Sequence, residues 1–500
     1  MMPSIGRWHN APACRRAHKV DFFRRPSGRP LNSSLSAYLK PGITATVFVL
    51  FLAWIWPREA VTPEEQAAVA DGRVIISYWD RSQGFEHDER NVLIEEYNRT
   101  QGVEDGVFVR TLSIGWRIEK LLTAISSGAP PDVCSMEAQT MATLGYQGCF
   151  EDLTDWMTEH PYLHPDRFLP TAIGAVTIND RVYGIPTMTD SYCLVWNKAL
   201  FRRAGLDPDR PPETIEELQE YAVKLTSIED GRVSTIGFLP WIPWDVSFMW
   251  GALFGGEWYD PETDQFIPDP EPLIEAYRWQ ASWQRDPNDP DAPEHALARS
   301  EIDTFFAGSV GGGGYQSAQN PFYSGRVAMT LEGEWQVTFI PRFAPDLDWG
   351  VAPMPQPEGV PPRVFTPGAV LDAIPVGSPN PEAAKKFLDW FYSPRPDGRP
   401  SPASDYNKAI HNIPCRVDEA MEERFLNEPK FGVFVEALLE REAHSFPITP
   451  ATRYFADRVS QARERILYGG LSPEEAVAEL RQTTNAELRR QRAQLEAFNQ

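Results

Sequence analysis

Positive charge is scarce in this 500-residue chain: 47 Lys and Arg stand against 70 Asp and Glu, a formal net charge of −23. A body that acidic repels phosphate backbones and anionic head groups, which argues against nucleic acid as a partner. Signatures of chemistry are lacking as well. No glycine-rich phosphate loop, no Gly-x-Ser-x-Gly and no His-Glu-x-x-His occurs. His160 and His164 have a metal-like spacing in "HPYLHP", but a proline follows each and no third ligand is near, so the segment reads as a loop. Nothing calls for a cofactor or a metal, and no repeat of solenoid period is visible. Cysteine is sparse: Cys14 stands apart from Cys134, Cys149, Cys193 and Cys415. In an oxidising compartment those four allow three pairings, and four buried free thiols are the alternative.

What is present begins with a 42% hydrophobic composition, enough to bury a large core in two or more lobes. Residues 1–40 form a basic segment with eight Lys or Arg and one acid, Asp21. Residues 41–57 then carry no charge and hold the apolar core "ITATVFVLFLAWIW". A basic flank before an apolar run is the positive-inside arrangement and implies export of the residues beyond the run. No small-x-small cleavage site follows the run and no cysteine there accepts a lipid, so an uncleaved signal anchor is the first reading and a cleaved signal the second. Without this +7 leader the exported part carries a net charge of about −30.

Beyond a polar linker at 58–71, strand and helix patterns alternate. "RVIISYW" reads as a buried strand, "ERNVLIEEYNRTQG" as a helix stopped by glycine, and "VFVRTLSI" as a strand. "RIEKLLTAISSG" reads as a helix and "PDVCSM" as a third strand. Such βαβ spacing builds a mostly parallel sheet, whose ligands collect at the carboxyl ends of its strands. That directs attention to "WDRSQG" and "SMEAQ". Farther on, "PETIEELQEYAVKLTSI" and "NPEAAKKFLDWFYSP" are helices, and the final "ELRRQRAQLEAFNQ" is a charged helical tail expected to fray.

Six pieces, in order, resemble the bacterial extracellular solute-binding proteins of family 1, the maltose-binding-protein-like receptors of sugar ABC importers. They are "VIISYWDRSQG", "SSGAPPDV", "YGIPTMTDSYCLVWNKALFRRAGLD" with "PPETIEEL", "FYSGRVAMTLEGEW", "AIPVGSPNPEAAKKFLDWFYS" and "LYGGLSPEEAVAEL". The resemblance covers roughly residues 72–490. It implies an α/β, two-lobed periplasmic-binding-protein fold with a hinge of crossing strands, preceded by the N-terminal membrane or signal segment. Lobe 1 would take 72–188 plus 370–412, lobe 2 189–369 plus 413–490, and 491–500 would be the tail. The stretch at 282–320, with its Gly311–Gly314 run, is longer than the family needs.

Sugar sites combine aromatic faces with acids, amides and guanidinium groups. The resemblance points to Trp335 as an aromatic that follows a glycine and lines the ligand, with Glu334 as a hydroxyl acceptor. Glu332, across Gly333, reads as a solvated neighbour. Asp80, Ser82 and Gln83 after the first strand, and Met136, Glu137 and Gln139 after the third, resemble contact positions. Ser82 has a helix cap as its structural alternative. Asp190 beside the hinge, Gly368, Arg416 and Tyr454 are further carry-overs, with Arg453 beside the last. Arg416 has an ion pair across the lobes as its alternative. In "PWIPWDVSFMWGALFGGEWYD", Trp241 and Trp244 sit in a proline-broken loop suited to facing a cleft. Trp244 and Asp245 therefore join the set, while Trp250 and Trp258 read as packing.

Together these imply a monomeric, extracytoplasmic receptor that binds a sugar or polyol between its lobes and hands it to ABC permease subunits, without catalysis. The rival readings are a membrane-anchored carbohydrate-active enzyme using acids such as Glu137 and Glu334, and a ligand-sensing module for a signalling partner.

Overall fold

The computed structural model describes residues 61–115, 117–242, 247–285, 290–307 and 316–498. The chain divides into two units, 1–62 and 63–500, and the sheets and helices named below all belong to the second. The expected signal anchor at 41–57, the glycine run at 311–314, and Trp244 with Asp245 lie outside the described residues. Among the described residues, no helix is long and apolar enough to cross a membrane.

The first element corrects the sequence reading. Part of the expected linker is a helix, α1 (Pro63–Ala70), packed on the first two strands. Its Glu65 is buried and pairs with Arg110 at 3.4 Å. Strands β1 (Val74–Asp80), β2 (Val107–Ser113) and β3 (Val133–Glu137) come next, with helices α2 (Phe85–Arg99) and α3 (Ile118–Ser126) between them. β1 runs parallel to both β2 and β3, and pairs with β2 along its whole length, from Val74 opposite Val107 to Asp80 opposite Ser113. Helix α4 (Ala138–Gly145) leaves directly from β3.

The chain then forms β4 (Ile185–Thr189), passes Asp190 and Ser191, and enters a second sheet as β5 (Tyr192–Asn197). β6 (Met329–Gly333) and β7 (Trp349–Pro353) both pair antiparallel with β5, which takes the centre. β5 is buried on both faces, and its period-2 alternation divides its residues between two cores. Cys193 and Val195 pack with the cluster under the first sheet, whereas Leu194 and Trp196 pack with the second cluster. Returning to the first sheet, β8 (Val370–Ala373) inserts antiparallel between β3 and β4, and β9 (Ile413–Pro414) closes the edge in the order β9-β4-β8-β3-β1-β2.

Helices complete both layers. α5 (Ile215–Leu225) starts where Thr214 accepts the Glu217 amide at 3.2 Å, while Glu217 bonds the Glu213 amide in return. α6 (Ser247–Leu253) is buried throughout. α7 (Gln336–Phe343) begins right after β6, and α8 (Pro381–Tyr392) and α9 (Pro402–Ile410) pack on each other. α10 (Phe431–Glu440) packs on β5 and β7 of the second sheet. α11 (Thr452–Gly469) and α12 (Pro473–Phe498) form an antiparallel pair on the second core. The tail expected to fray is the continuous end of α12. Arg492 ties it to Asp264 at 2.9 Å, and Leu488 is buried.

Cys134, Cys193 and Cys415 are buried, Cys149 is half-buried, and all four are free thiols. Burial pushes each thiol above its ordinary range, so they behave as small apolar side chains.

A charged knot fixes the first sheet to its helices. Arg90 of α2 is almost completely buried and faces Asp80 at 3.8 Å and Asp372 at 3.5 Å. Tyr78 and Tyr392 each donate to Asp372 at 2.7 Å. Although burial opposes its charge, Arg90 and His87 hold the Asp80 carboxyl down at about 2. Arg90→Met removes the one guanidinium facing both acids and leaves two buried carboxylates. A loss of about 3–5 kcal/mol in urea unfolding is expected; a loss under about 1 kcal/mol would mean that the knot is not a stabilising pair.

Candidate functional site

The first sheet, the crossing segments and the second core meet around a cleft of about 740 Å³. Beside it the chain passes between the two sheets. Thr189 Oγ1 meets Thr366 Oγ1 at 2.5 Å and lies 2.5 Å from the Gly368 carbonyl, which bonds the outgoing crossing to the returning one. Gly368 takes φ +102°, and a Cβ there would come 3.0 Å from that of Ala138. The position therefore demands glycine, and it supports the crossing without lining the cleft.

Strand ends in the first lobe supply polar groups. Arg81 and Glu86 follow β1, and Ser135 to Thr140 carry β3 into α4. Arg81 and Glu137 form an ion pair at 2.9 Å. Burial pushes the Glu86 carboxyl up, against the pull of Arg81. The Ser135 hydroxyl is buried and has no hydrogen-bond partner among the described residues.

The second lobe supplies aromatic surface. The lack of a side chain at Gly333 lets the Trp335 indole fold back over its Cα: a Cβ would sit 2.1 Å from that ring. Tyr192 stands edge-on to Trp335, centroids 5.7 Å apart. Phe365 lies 6.3 Å from Tyr192 and 5.6 Å from Phe248, which in turn meets Phe446 at 4.0 Å. All five rings line the cleft, and Arg453 and Asp457 of α11 add charge at its edge.

Between these walls lies a pair of acids, Glu334 buried and Asp190 half-buried. Asn412 Nδ2 donates to Asp190 Oδ1 at 2.8 Å and to Glu334 Oε1 at 2.9 Å, while the Ser191 amide donates to Glu334 Oε2 at 3.0 Å. Burial pushes Glu334 well above the carboxylate range, and the neighbouring Asp190 adds to it. Asp190 is also raised by burial, against hydrogen bonds from Glu334 and Asn412 and the charge of Arg81.

The residues expected from sequence divide into three groups. Met136, Glu137, Gln139, Asp190, Trp335 and Arg453 come together on the cleft wall. Glu334 lies one layer behind, and Gln83 covers Gly115 at the rim. Asp80, Ser82, Arg416 and Tyr454 lie off the wall. Asp80 belongs to the Arg90 knot, and the Ser82 hydroxyl meets Tyr406 rather than capping α2, whose N-cap is Gly84. Arg416 pairs with its near neighbours Asp418 and Glu419 instead of bridging lobes. Tyr454 sits under Arg458. Glu332, expected to be solvated, is 1% exposed within the second sheet.

Arg81, Glu86, Tyr192, Phe248, Phe365, Phe446 and Asn412 were not singled out by sequence. The alternation of β1 carries a signal for Arg81: Ile76, Tyr78 and Asp80 all point inward, so Arg81 turns to the opposite side.

Metal binding has little to stand on. Glu257, Glu442 and His444 have ligand-like spacing, but Arg363 pairs with both acids, at 3.0 and 3.4 Å, and supplies the positive charge there. His160 bonds Asp389, and His164 caps the turn at Pro165–Arg167.

Residues 100–397 match the family described as bacterial extracellular solute-binding protein. The chain belongs to that family. It is 22% identical to a maltotriose-binding protein of Pyrococcus abyssi over 394 residues, 77% of this chain and 75% of that one. It is 23% identical to the sn-glycerol-3-phosphate-binding periplasmic protein UgpB of Salmonella typhimurium over 336 residues, 64% of this chain and 70% of that one. Among solved structures, mannotriose-bound CpMnBP1 superposes at TM-score 0.70 with 26% identity, over 82% of this chain and 100% of that one. The cyclic α-maltosyl-1,6-maltose binding protein of Arthrobacter globiformis shares the fold at TM-score 0.66 and 20% identity, over 83% and 99% of the two chains. Membership of an extracellular solute-binding family gives the cleft its meaning as the solute site and puts this body outside the cytoplasm.

The acid pair makes stability depend on pH in a definite direction. Raised carboxyls bind protons more tightly folded than unfolded, so stability is greatest in acid and falls as pH rises through the ordinary values of 3.8 and 4.5 toward the folded ones. Glu334→Gln removes one titrating partner. Melting midpoints from pH 4 to 8 are expected to decline less steeply in the variant than in the native chain; parallel curves would show that Glu334 does not titrate in this way.

Proposed function

We propose that the protein is an extracytoplasmic receptor that captures a sugar or sugar-like solute between its lobes and delivers it to the permease of an ABC importer. The cleft carries this reading through one observation: five aromatic rings on one side face a band of carboxylate, amide, guanidinium and hydroxyl groups on the other. Ring faces take the C–H faces of a pyranose, and the polar band exchanges hydrogen bonds with its hydroxyls. Trp335 is the main stacking platform. Met136, Glu137, Gln139 and Asp190 meet the solute from the first lobe and the hinge, with Trp244 and Asp245 contributing from the loop before α6. Binding draws the lobes together about the crossings at 189–191 and 366–369. No bond in the solute is made or broken. The body works as a monomer on the outer side of the inner membrane, tethered by the signal anchor at 41–57. The match to a maltotriose-binding protein and the likeness to a mannotriose complex support a sugar, and the match to sn-glycerol-3-phosphate-binding proteins makes that solute its rival in the test.

A thermal-shift panel of mannotriose, maltotriose and sn-glycerol-3-phosphate tests this. A sugar at 100 times its Kd is expected to add about 2.7 kcal/mol of stability. Trp335→Ala, and Gly333→Ala through displacement of the indole, are expected to abolish the shift. No response to either sugar, or a shift untouched by both variants, would overturn the assignment.

A further inference from the structure

We propose that Asp190 and Glu334 act as one acid pair sharing a single proton, Glu334 hidden and Asp190 turned to the solute, so that the site accepts hydroxyl-rich solutes and rejects anionic ones. This rests on the solute-receptor reading and goes beyond it by assigning a role to a residue that never touches the solute.

The geometry is specific. Both carboxylates accept from the same Asn412 nitrogen, at 2.8 and 2.9 Å; Glu334 is fully buried and Asp190 is half-buried at the cleft wall. Two like charges so placed in a low-dielectric site do not ionise together. The Ser191 amide and the Asn412 amide group already donate to the two Glu334 oxygens, which fixes that side chain behind the wall. Asp190, by contrast, lines the cleft. Glu334 is therefore a positioning residue: it keeps the proton and aims Asp190 as an acceptor.

Charge around the pair agrees. Arg81 is the cation facing Asp190 from beyond β1, and Glu137 holds it at 2.9 Å. Glu86 also faces Asp190, from α2. Cys193 beside Glu334 and Cys415 beside Asp190 are thiols kept neutral by burial. The other lining guanidinium, Arg453, is more than half exposed and has Asp457 at 3.8 Å. Against these two cations the cleft wall carries four acids, Glu86, Glu137, Asp190 and Asp457. A phosphate or carboxylate entering here meets repulsion, whereas a sugar hydroxyl donates to Asp190. The unpartnered, 2% exposed Ser135 hydroxyl on the same wall is a second group aimed at a hydroxyl-bearing ligand.

The decisive experiment is a carbon-13 carboxyl titration of the solute-free chain by NMR, read alongside mannotriose affinity between pH 5 and 8. One carboxyl of the pair is expected to stay protonated at pH 7. Glu334→Gln should remove that signal and, with the proton that Glu334 offers to Asp190 gone, let Asp190 ionise only at higher pH, moving the acid limb of mannotriose binding up by about one pH unit. Asp190→Asn should weaken mannotriose about tenfold or more across the range. Two carboxyls titrating independently near 4, or an unshifted limb in Glu334→Gln, would overturn the shared proton. Binding of sn-glycerol-3-phosphate as tight as that of mannotriose would overturn the charge restriction. If mannotriose binds at no pH, the sugar reading fails, and the carboxyl titration alone decides the pair.

Discussion

Two neighbouring carboxylates, Glu334 buried and Asp190 half-buried where the chain crosses between its sheets, impose the constraint on which the cleft depends. A buried charge is costly unless it is bonded or neutralised. Asp190 and Glu334 meet that demand with Asn412, the Ser191 amide and each other. Their partners come from three distant parts of the sequence: the exit from β4, the end of β6, and the residue before β9. Satisfying one pair of acids thus ties three distant segments together beside the cleft.

The same logic divides the labour between the lobes. The first sheet is stiffened by a knot around Arg90 and ends its strands in polar groups at the cleft. The second sheet is buried on both faces and presents rings instead. On the proposed reading, a solute between them meets hydrogen-bonding groups from the first lobe and rings from the second, each set held by its own sheet. Preformed partners of this kind reduce the ordering cost of binding.

Much of the fold was legible in the sequence because period-2 and period-3.6 patterns are strong here. "YCLVWN" is the strand Tyr192–Asn197 to the residue, and "NPEAAKKFLDWFYSP" contains the helix Pro381–Tyr392. The site was legible in part. Trp335, to which the resemblance pointed, and Glu137, at the end of its strand, both stand on the cleft wall. Phe365, Phe446 and Asn412 were not legible: Phe365 ends a three-residue strand, Phe446 and Asn412 stand in irregular segments, and only tertiary contact brings them together. Asp80 and Arg416 misled for the opposite reason: charged residues in motif-rich stretches are engaged in buried ion pairs. Glu332 shows that an acid in a short strand is not necessarily solvated.

The central claim is that solute sits between the lobes and touches both. Amide hydrogen exchange with and without mannotriose tests it directly. Protection is expected at 134–140 of the first lobe, at the crossings 190–192 and 365–370, and around 333–337 of the second. Protection confined to one lobe, or centred away from the crossings, would contradict the account.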